Sequence, residues 1–575
     1  MRKTLILAVS AMAAGVTAGL AGPAQANEAS IAYFSQGKSA ALPTLLSNED
    51  RLYYGSLFEA IDARNWDRAE ILLGERGDGP LHGAALAEYF LQPESPRIPV
   101  ERLSAWLDRY RDLPQAEQIA RLASSRGLIA PPPLPRTRDL RGQPGLTRRN
   151  LPRGIADGTM PDSVSSAILD RIRNDDPDGA RLLLDGIDAS LSPQARAEWR
   201  QRVAWSYYIE NRDPEALAQA RTVNEGSGPW VAEGDWVVGL AAWRLGDCAT
   251  AGSGFRGAAT GSTDPELTSA AHYWASRALI RCREPEQAAE QLRGAARFTE
   301  TLYGMLAREQ LGQALPADHT RPDLTAADWQ QLSDEQAARL AVMLAEIGRR
   351  DQASDALVHQ ARIGDPSEFA PLTRLARALG LPAAQSFMAY NAPAGTAAPP
   401  SLRWPVTYQT PRGGWQVDPA LAFAHALQES NFRERVVSPA NAIGLMQIRP
   451  IAAREYASSI NLNADTADLK EPATNLAFGQ RALAALSQSG ATQGHLPKVM
   501  AAYNAGLTPV TRWNDEVRDQ GDPLTWMESI PYWETRSYVA IVMRNYWMYL
   551  RQADAEAPSR TALAQNRWPS FPRER

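Results

Sequence analysis

The chain has 575 residues, too many for a single hydrophobic core, so two to four domains are expected. With 44% hydrophobic and 22% charged residues it is of globular composition, which excludes disordered and fibrous classes. Its formal net charge of −5 gives no general attraction to nucleic acid, so a nucleic-acid partner is not expected.

Residues 1–26 read as a secretory signal. Arg2 and Lys3 form a positive start, Leu5 to Leu20 an apolar run, and Ala24-Gln25-Ala26 a small-x-small cleavage site before Asn27. The competing reading is an N-terminal membrane anchor. The run is short and is broken by Gly15, Gly19 and Gly22, with Pro23 after it, which favours cleavage. No cysteine lies near the cleavage site for a lipid anchor, and no other stretch is apolar enough to span a bilayer, so no integral membrane anchor is expected. Cleavage would remove two positive charges and no negative ones, leaving the mature chain more acidic.

From about residue 30 to 390 apolar positions recur at three- and four-residue spacing, and strand-like alternation is scarce. Several segments read as helix, short turn, helix: 52–61 with 66–73, 236–247 with 248–255, and 273–280 with 285–292. The pattern predicts stacked helix pairs, an α-solenoid, without a strict repeat consensus. The two cysteines, Cys248 and Cys282, lie 34 residues apart, the period of such helix pairs. In a secreted chain an even count permits a disulfide, and two buried free thiols are the alternative.

Two stretches interrupt the helical pattern. Ala130-Pro-Pro-Pro-Leu-Pro135 opens a segment holding Arg136, Arg138, Arg141, Arg148, Arg149 and Arg153, whose plain reading is a solvated loop between helices. Residues 391–403, rich in Pro and Ala, read as a semi-stiff linker. The expected division is therefore a signal peptide at 1–26, a helical solenoid domain at 27–390, the linker at 391–403 and a compact, mostly helical module at 404–575.

The module holds the residues that carry chemistry. Asp418-Pro419 is a strong helix start. The helix that follows runs to Gln428-Glu429-Ser430 and sets Glu429 at its C-terminal end. There the helix dipole opposes a negative charge, and apolar neighbours would oppose it further. Both effects raise a carboxyl pKa, as a general acid working near neutral pH requires. A lone glutamate at a helix end is more often a solvated charge, so the position alone does not decide.

Four blocks in order decide it: His425-Ala-Leu-Gln-Glu-Ser-Asn-Phe432, Gly444-Leu-Met-Gln-Ile448, Ala501-Ala-Tyr-Asn-Ala-Gly506 and Ile530-Pro-Tyr-Trp-Glu-Thr-Arg-Ser-Tyr538. Over Trp415 to Tyr549 this order and spacing resembles the lysozyme-like catalytic domain of the soluble lytic murein transglycosylases. The resemblance implies an all-α chain, with an N-terminal superhelical solenoid that curls into a ring around the catalytic domain. It implies peptidoglycan glycan strands as substrate, a periplasmic location and no cofactor. Proteins of cell-wall synthesis or remodelling would be compatible partners, and the Arg-rich segment would be a contact for anionic cell-wall material. Glu429 maps onto the family's catalytic acid/base. Ser438 matches a serine near the sugar N-acetyl group, Met446 and Gln447 line the cleft, and Tyr503 places a hydroxyl near the reacting centre. Asn504 fixes that loop or binds sugar, and Glu534 and Tyr538 orient the site.

The sequence departs from the family pattern at Leu507, where Pro is common, and at Ala482, where an aromatic is common. Trp415, Trp513, Trp526 and Trp533 could stack on sugars, although each reads first as core. None of His82, His272, His319, His359, His425 and His495 shows metal-ligand spacing, so no metal is expected. The competing functions are a goose-lysozyme-like hydrolase, which would deliver water to C1, and a non-catalytic helical-repeat scaffold that binds cell wall.

Overall fold

The computed structural model describes residues 28–35, 42–316 and 323–572. The secretory leader expected at 1–26 lies outside the described residues, as does His319. The described residues form 28 α-helices and a single two-stranded ladder, an all-α architecture of stacked helix pairs followed by a helical module.

The helix starts follow from local chemistry. Asp247, Asp264 and Thr301 each accept a backbone N–H from the first turn of the helix they precede, which satisfies a donor the helix cannot. Gly239 and Gly254 let two solenoid helices approach closely. A Cβ on Gly239 would stand 2.4 Å from the Phe255 ring, and one on Gly254 would meet the Gly239 nitrogen at 2.7 Å. Between them Trp236, Phe255 and Trp274 interlock edge-to-face and tilted, burying large apolar area.

The apolar interior divides into two clusters. One joins the helices at 46–123 to those at 324–402, so the two ends of the helical run pack against each other. Polar contacts fasten the same seam. The backbone N–H groups of Leu45 and Leu46 and the side chain of Arg51 all bind the Glu346 carboxylate, and Arg349 pairs with Asp62. The other cluster runs without a break from the middle solenoid helices into the C-terminal module. The first helix, Glu28–Ser35, belongs to this second cluster: Phe34 packs edge-on against Phe423 and Tyr549 of the module.

The Pro/Ala-rich segment at 391–403 does not run free as a spacer. Residues 391–393 (β2) pair antiparallel with 140–142 (β1), in the register Leu140↔Pro393 and Gly142↔Asn391. Ala392, Ser401 and Leu402 are buried. A stretch with almost no charge and several apolar side chains gains more from burial than from hydration, and composition alone did not show that a partner strand was at hand.

Cys248 and Cys282 are bonded to each other, tying the first residue of the Cys248–Gly261 helix to the C-cap of the Pro265–Arg281 helix. Closing a loop of this length removes entropy from the unfolded chain worth about 3–4 kcal/mol. Replacing both cysteines with serine is therefore expected to lower the melting temperature, and reductant should shift wild type but not the double variant. Calorimetry with and without reductant checks this.

Candidate active site

The Pro419–Ser430 helix is built to be buried from its first residue. The Asp418 carboxylate caps it by accepting the Ala420 N–H at 2.9 Å, and it also accepts Ser30 Oγ at 2.6 Å and Tyr546 Oη at 3.0 Å. Three donors allow this carboxylate to be fully buried. The helix stops because Asn431 and Phe432 both adopt left-handed backbone conformations, with φ of +51° and +57°. Ser430 Oγ then donates to Leu445 O at 2.7 Å, stitching the helix end to the next turn.

Glu429 stands at that end, largely withdrawn from water. Burial raises its pKa from 4.5 to about 7, the nearby negative charge of Glu534 adds to the rise, and a hydrogen bond from Tyr538 opposes it. That bond, from Tyr538 Oη to Glu429 Oε1, is 2.7 Å long.

The turn at 443–448 meets the end of the Glu429 helix through Ser430. Gly444 has a φ of +77°, and a Cβ there would lie 2.3 Å from Leu469 O and 2.4 Å from Asn475 Nδ2, so only glycine fits. Asn475, wholly buried, holds the turn from the neighbouring Pro472–Ser487 helix. Its amide donates to Ile443 O and Leu469 O and accepts the Met446 N–H at 2.8 Å. Gly479, one turn further along, clears room for the Met446 sulfur, which a Cβ would meet at 2.1 Å.

Two more helices complete the site. From Leu496–Ala505, Tyr503 donates to Met446 O at 2.8 Å, and its ring packs against His425 with centroids 4.7 Å apart. Asn504 accepts the Thr535 hydroxyl at 2.6 Å and so ties that helix to Trp533–Gln552. Trp533–Gln552 supplies Tyr538 and Glu534. Burial and the Glu429 charge push the Tyr503 and Tyr538 phenols well above their usual range, so both stay protonated.

Glu429 opens into a cavity of about 510 Å³, the size of a ligand site. Its far wall comes from the helical domain. The segment expected to be a solvated loop is exposed or only partly covered along its length, yet side-chain contacts anchor it to the helical domain as a strap. Arg544 donates to Thr147 O at 2.6 Å, Thr147 Oγ1 donates to Glu266 at 2.6 Å, Arg149 pairs with Glu233 at 2.6 Å, and Trp230 donates to Arg153 O at 3.1 Å. The strap brings Arg148 and Asn150 to the cavity wall, which Arg433 and Arg544 also line. Arg149 and Arg544 are matched by buried carboxylates, whereas Arg148 is exposed to the cavity. Glu429 is the one carboxylate in this lining.

Glu429, Tyr538, Tyr503 and Met446 are joined in one connected set of contacts that passes through His425. Glu534 is exposed and reaches Glu429 through its charge alone. Ser438 and Gln447 make local bonds: Ser438 Oγ accepts the Ala442 N–H at 3.0 Å, and Gln447 Nε2 donates to Gly444 O at 2.9 Å. Trp415, Trp513 and Trp526 are core, at 7%, 0% and 1% exposure, and cannot stack on a sugar; Trp533 is only partly buried. His425 went unread among the histidines because metal spacing was the test applied to it. The available signal was its position four residues before Glu429, on the same helical face.

A carboxyl that holds its proton more tightly folded than unfolded contributes stability at low pH, and loses it as pH rises through the folded value. Wild type should therefore lose stability relative to Glu429→Gln between about pH 4.5 and 7. The melting-temperature gap in favour of the variant is expected to widen from pH 5 to pH 8, and a gap independent of pH would contradict the burial described here.

Comparison with known proteins gives the same picture. Residues 408–524 match the family model described as Transglycosylase SLT domain. The soluble lytic murein transglycosylase of Escherichia coli (strain K12) is 32% identical over 157 residues, which cover 27% of this chain and 24% of that protein. The putative soluble lytic murein transglycosylase of Haemophilus influenzae is 32% identical over 143 residues, 25% of this chain and 24% of its own. These sequence matches thus span about a quarter of the relatives' length. Among solved structures, the 70 kDa soluble lytic transglycosylase from Escherichia coli superposes with a TM-score of 0.54 at 17% identity, over 91% of this chain and 99% of that one. The complex of the 70 kDa enzyme with bulgecin A gives 0.58 at 18% identity, with the same coverage. At such identities the likeness shows the fold. Residues 408–524 thus carry an SLT-type domain, and the chain shares the fold of the solved soluble lytic transglycosylases over 91% of its length.

Proposed function

We propose that this chain is a peptidoglycan lytic transglycosylase that cleaves the bond between N-acetylmuramic acid and N-acetylglucosamine and leaves 1,6-anhydromuramic ends. The observation that carries the reading is a single carboxyl, Glu429, held protonated near neutral pH and alone in a cavity of ligand size. A hydrolase of the usual kind needs two carboxylates flanking the bond. One suffices when the nucleophile belongs to the substrate.

In the proposed reaction Glu429 gives its proton to the bridging oxygen as the C1–O bond breaks. The muramic C6 hydroxyl then attacks C1, and the Glu429 carboxylate takes the hydroxyl proton, restoring the acid. No water is consumed. The attack is intramolecular, which removes the cost of ordering a second molecule. Tyr538 occupies Oε1 throughout, leaving Oε2 for both transfers. Ser438, Gln447 and Asn504 are proposed sugar contacts. Arg148 and Arg433 give the cavity a positive wall suited to strands that bear carboxylates. Cell-wall turnover in the periplasm, after removal of residues 1–26, is the setting this reading proposes, with proteins of cell-wall synthesis or remodelling as compatible partners. The division into a helical domain at 27–390 and a catalytic module at 404–575 belongs to the same proposal. No helix among the described residues is long and apolar enough to cross a membrane.

Glu429→Gln should bind glycan yet lose turnover by several orders of magnitude, because an amide can neither give nor take the proton. Mass spectrometry of muropeptides released from purified peptidoglycan is expected to show anhydro ends from wild type and none from the variant. Reducing ends from wild type would overturn the reading in favour of a hydrolase. Since the acid must start protonated, kcat/KM should fall as pH rises above about 7, and a profile flat from pH 6 to 9 would contradict the role given to Glu429.

A further inference from the structure

His425 is a fully buried titratable group in the site that the proposed reaction does not use. It lies on the same helix as Glu429. Its Nδ1 lies 2.8 Å from Tyr538 Oη, the same oxygen whose proton goes to Glu429 Oε1 at 2.7 Å. Its Nε2 is buried and has no hydrogen-bond partner. Glu429 Oε2 is bound by no described donor, and Glu429 lines the cavity.

These contacts fix the direction of the chain of protons. If Tyr538 donated to Nδ1, the histidine's own proton would sit on Nε2, a buried N–H with no acceptor, which folded proteins rarely tolerate. With the proton on Nδ1 every donor is satisfied and only a lone pair is left bare. Tyr538 Oη then accepts from His425, and its own hydrogen can point only at Glu429. A neutral Glu429 that turned its proton towards Tyr538 would leave the Tyr538 hydrogen with no acceptor, since Nδ1 already carries a proton. The acidic proton is left on Oε2, in the cavity where the scissile oxygen would lie.

We propose that His425 is a positioning residue that locks the Tyr538 hydroxyl as a permanent donor to Glu429 and so confines the reactive proton to the carboxyl oxygen facing the cavity. Its relevance to catalysis rests on the lytic transglycosylase reading. Burial also holds the imidazole pKa down at about 3, so the ring is a neutral donor at working pH and adds no charge of its own. The other titratable and charged groups facing Glu429 are Tyr538 and Glu534 from one helix, Tyr503 from another, and Arg148, Arg433 and Arg544 around the cavity. None of these donates to the Tyr538 oxygen, so none can replace His425 there.

His425→Leu removes the donor while keeping an apolar side chain, and His425→Asn restores an N–H close to the position of Nδ1. In the leucine variant neutral Glu429 gains a second place to put its proton. Its kcat on peptidoglycan is expected to fall about tenfold with KM little changed, the size of one lost hydrogen bond. The alkaline limb of its pH profile should move up by about one unit. The asparagine variant should recover both. In a Tyr538→Phe background, His425→Leu should have no further effect. An equal loss with an unmoved limb, no recovery by asparagine, or an additive loss in the phenylalanine background would each overturn the proposal and leave His425 as packing.

Infrared titration of the Glu429 carboxyl, taken as the difference between otherwise identical proteins with and without Glu429→Gln, needs no turnover. A midpoint raised by His425→Leu supports the lock, and an unchanged midpoint refutes it. A raised midpoint in a protein that yields no anhydro product would overturn the proposed reaction while leaving the lock standing.

Discussion

The hydrogen bond from Tyr538 to Glu429 joins the end of one buried helix to the middle of another, and the geometry of the site turns on it. A carboxyl withdrawn from water at the negative end of a helix resists ionisation. A single phenol donor offsets that only in part, so Glu429 titrates near neutrality rather than in the usual carboxylate range. Remove the burial and the residue is an ordinary surface glutamate. Add an arginine and it is a permanent anion. Neither could give a proton and take one back in the same cycle.

Keeping the carboxyl in that state takes much of the molecule. The start of its helix is held by Asp418, whose three donors come from its own helix, from the first described helix and from Trp533–Gln552. The far end is pinned by Ser430 to a turn that Asn475 suspends from a third helix. The helical domain contributes the wall facing Glu429, through a strap whose own arginine and threonine are anchored by buried carboxylates. The module and the helical domain share one continuous core, so the shape of the cavity is set by both. A substrate strand entering it would meet groups some 280 residues apart in sequence, Arg148 and Glu429 among them.

How much of this could be read from sequence depended on whether the constraint was local. Gly444 takes a φ of +77° within a turn of five residues, a local demand that leaves a recognisable block. Glu429 was legible for the same reason: its place at a helix end follows from the Asp418-Pro419 start and the following residues. The cysteines were legible as a helix-pair interval. His425 was not, because its partner Tyr538 lies 113 residues away and nothing in either block marks the contact. The strap and the segment at 391–403 were read as loop and linker because Pro-rich composition reports a lack of helix. It does not report whether the extended chain runs free or, as here, is paired and anchored along other elements. The tryptophans point the same way: composition cannot distinguish a ring that packs from one that binds, and three of the four singled out are packed.

The central claim is that one carboxyl is enough because the attacking oxygen comes from the substrate. Digestion of purified peptidoglycan in water enriched in oxygen-18 tests this most directly. The account predicts released muropeptides whose new muramic ends carry no label at any extent of reaction. Stoichiometric incorporation of one labelled oxygen per cleavage would show that water reaches C1, and would contradict it.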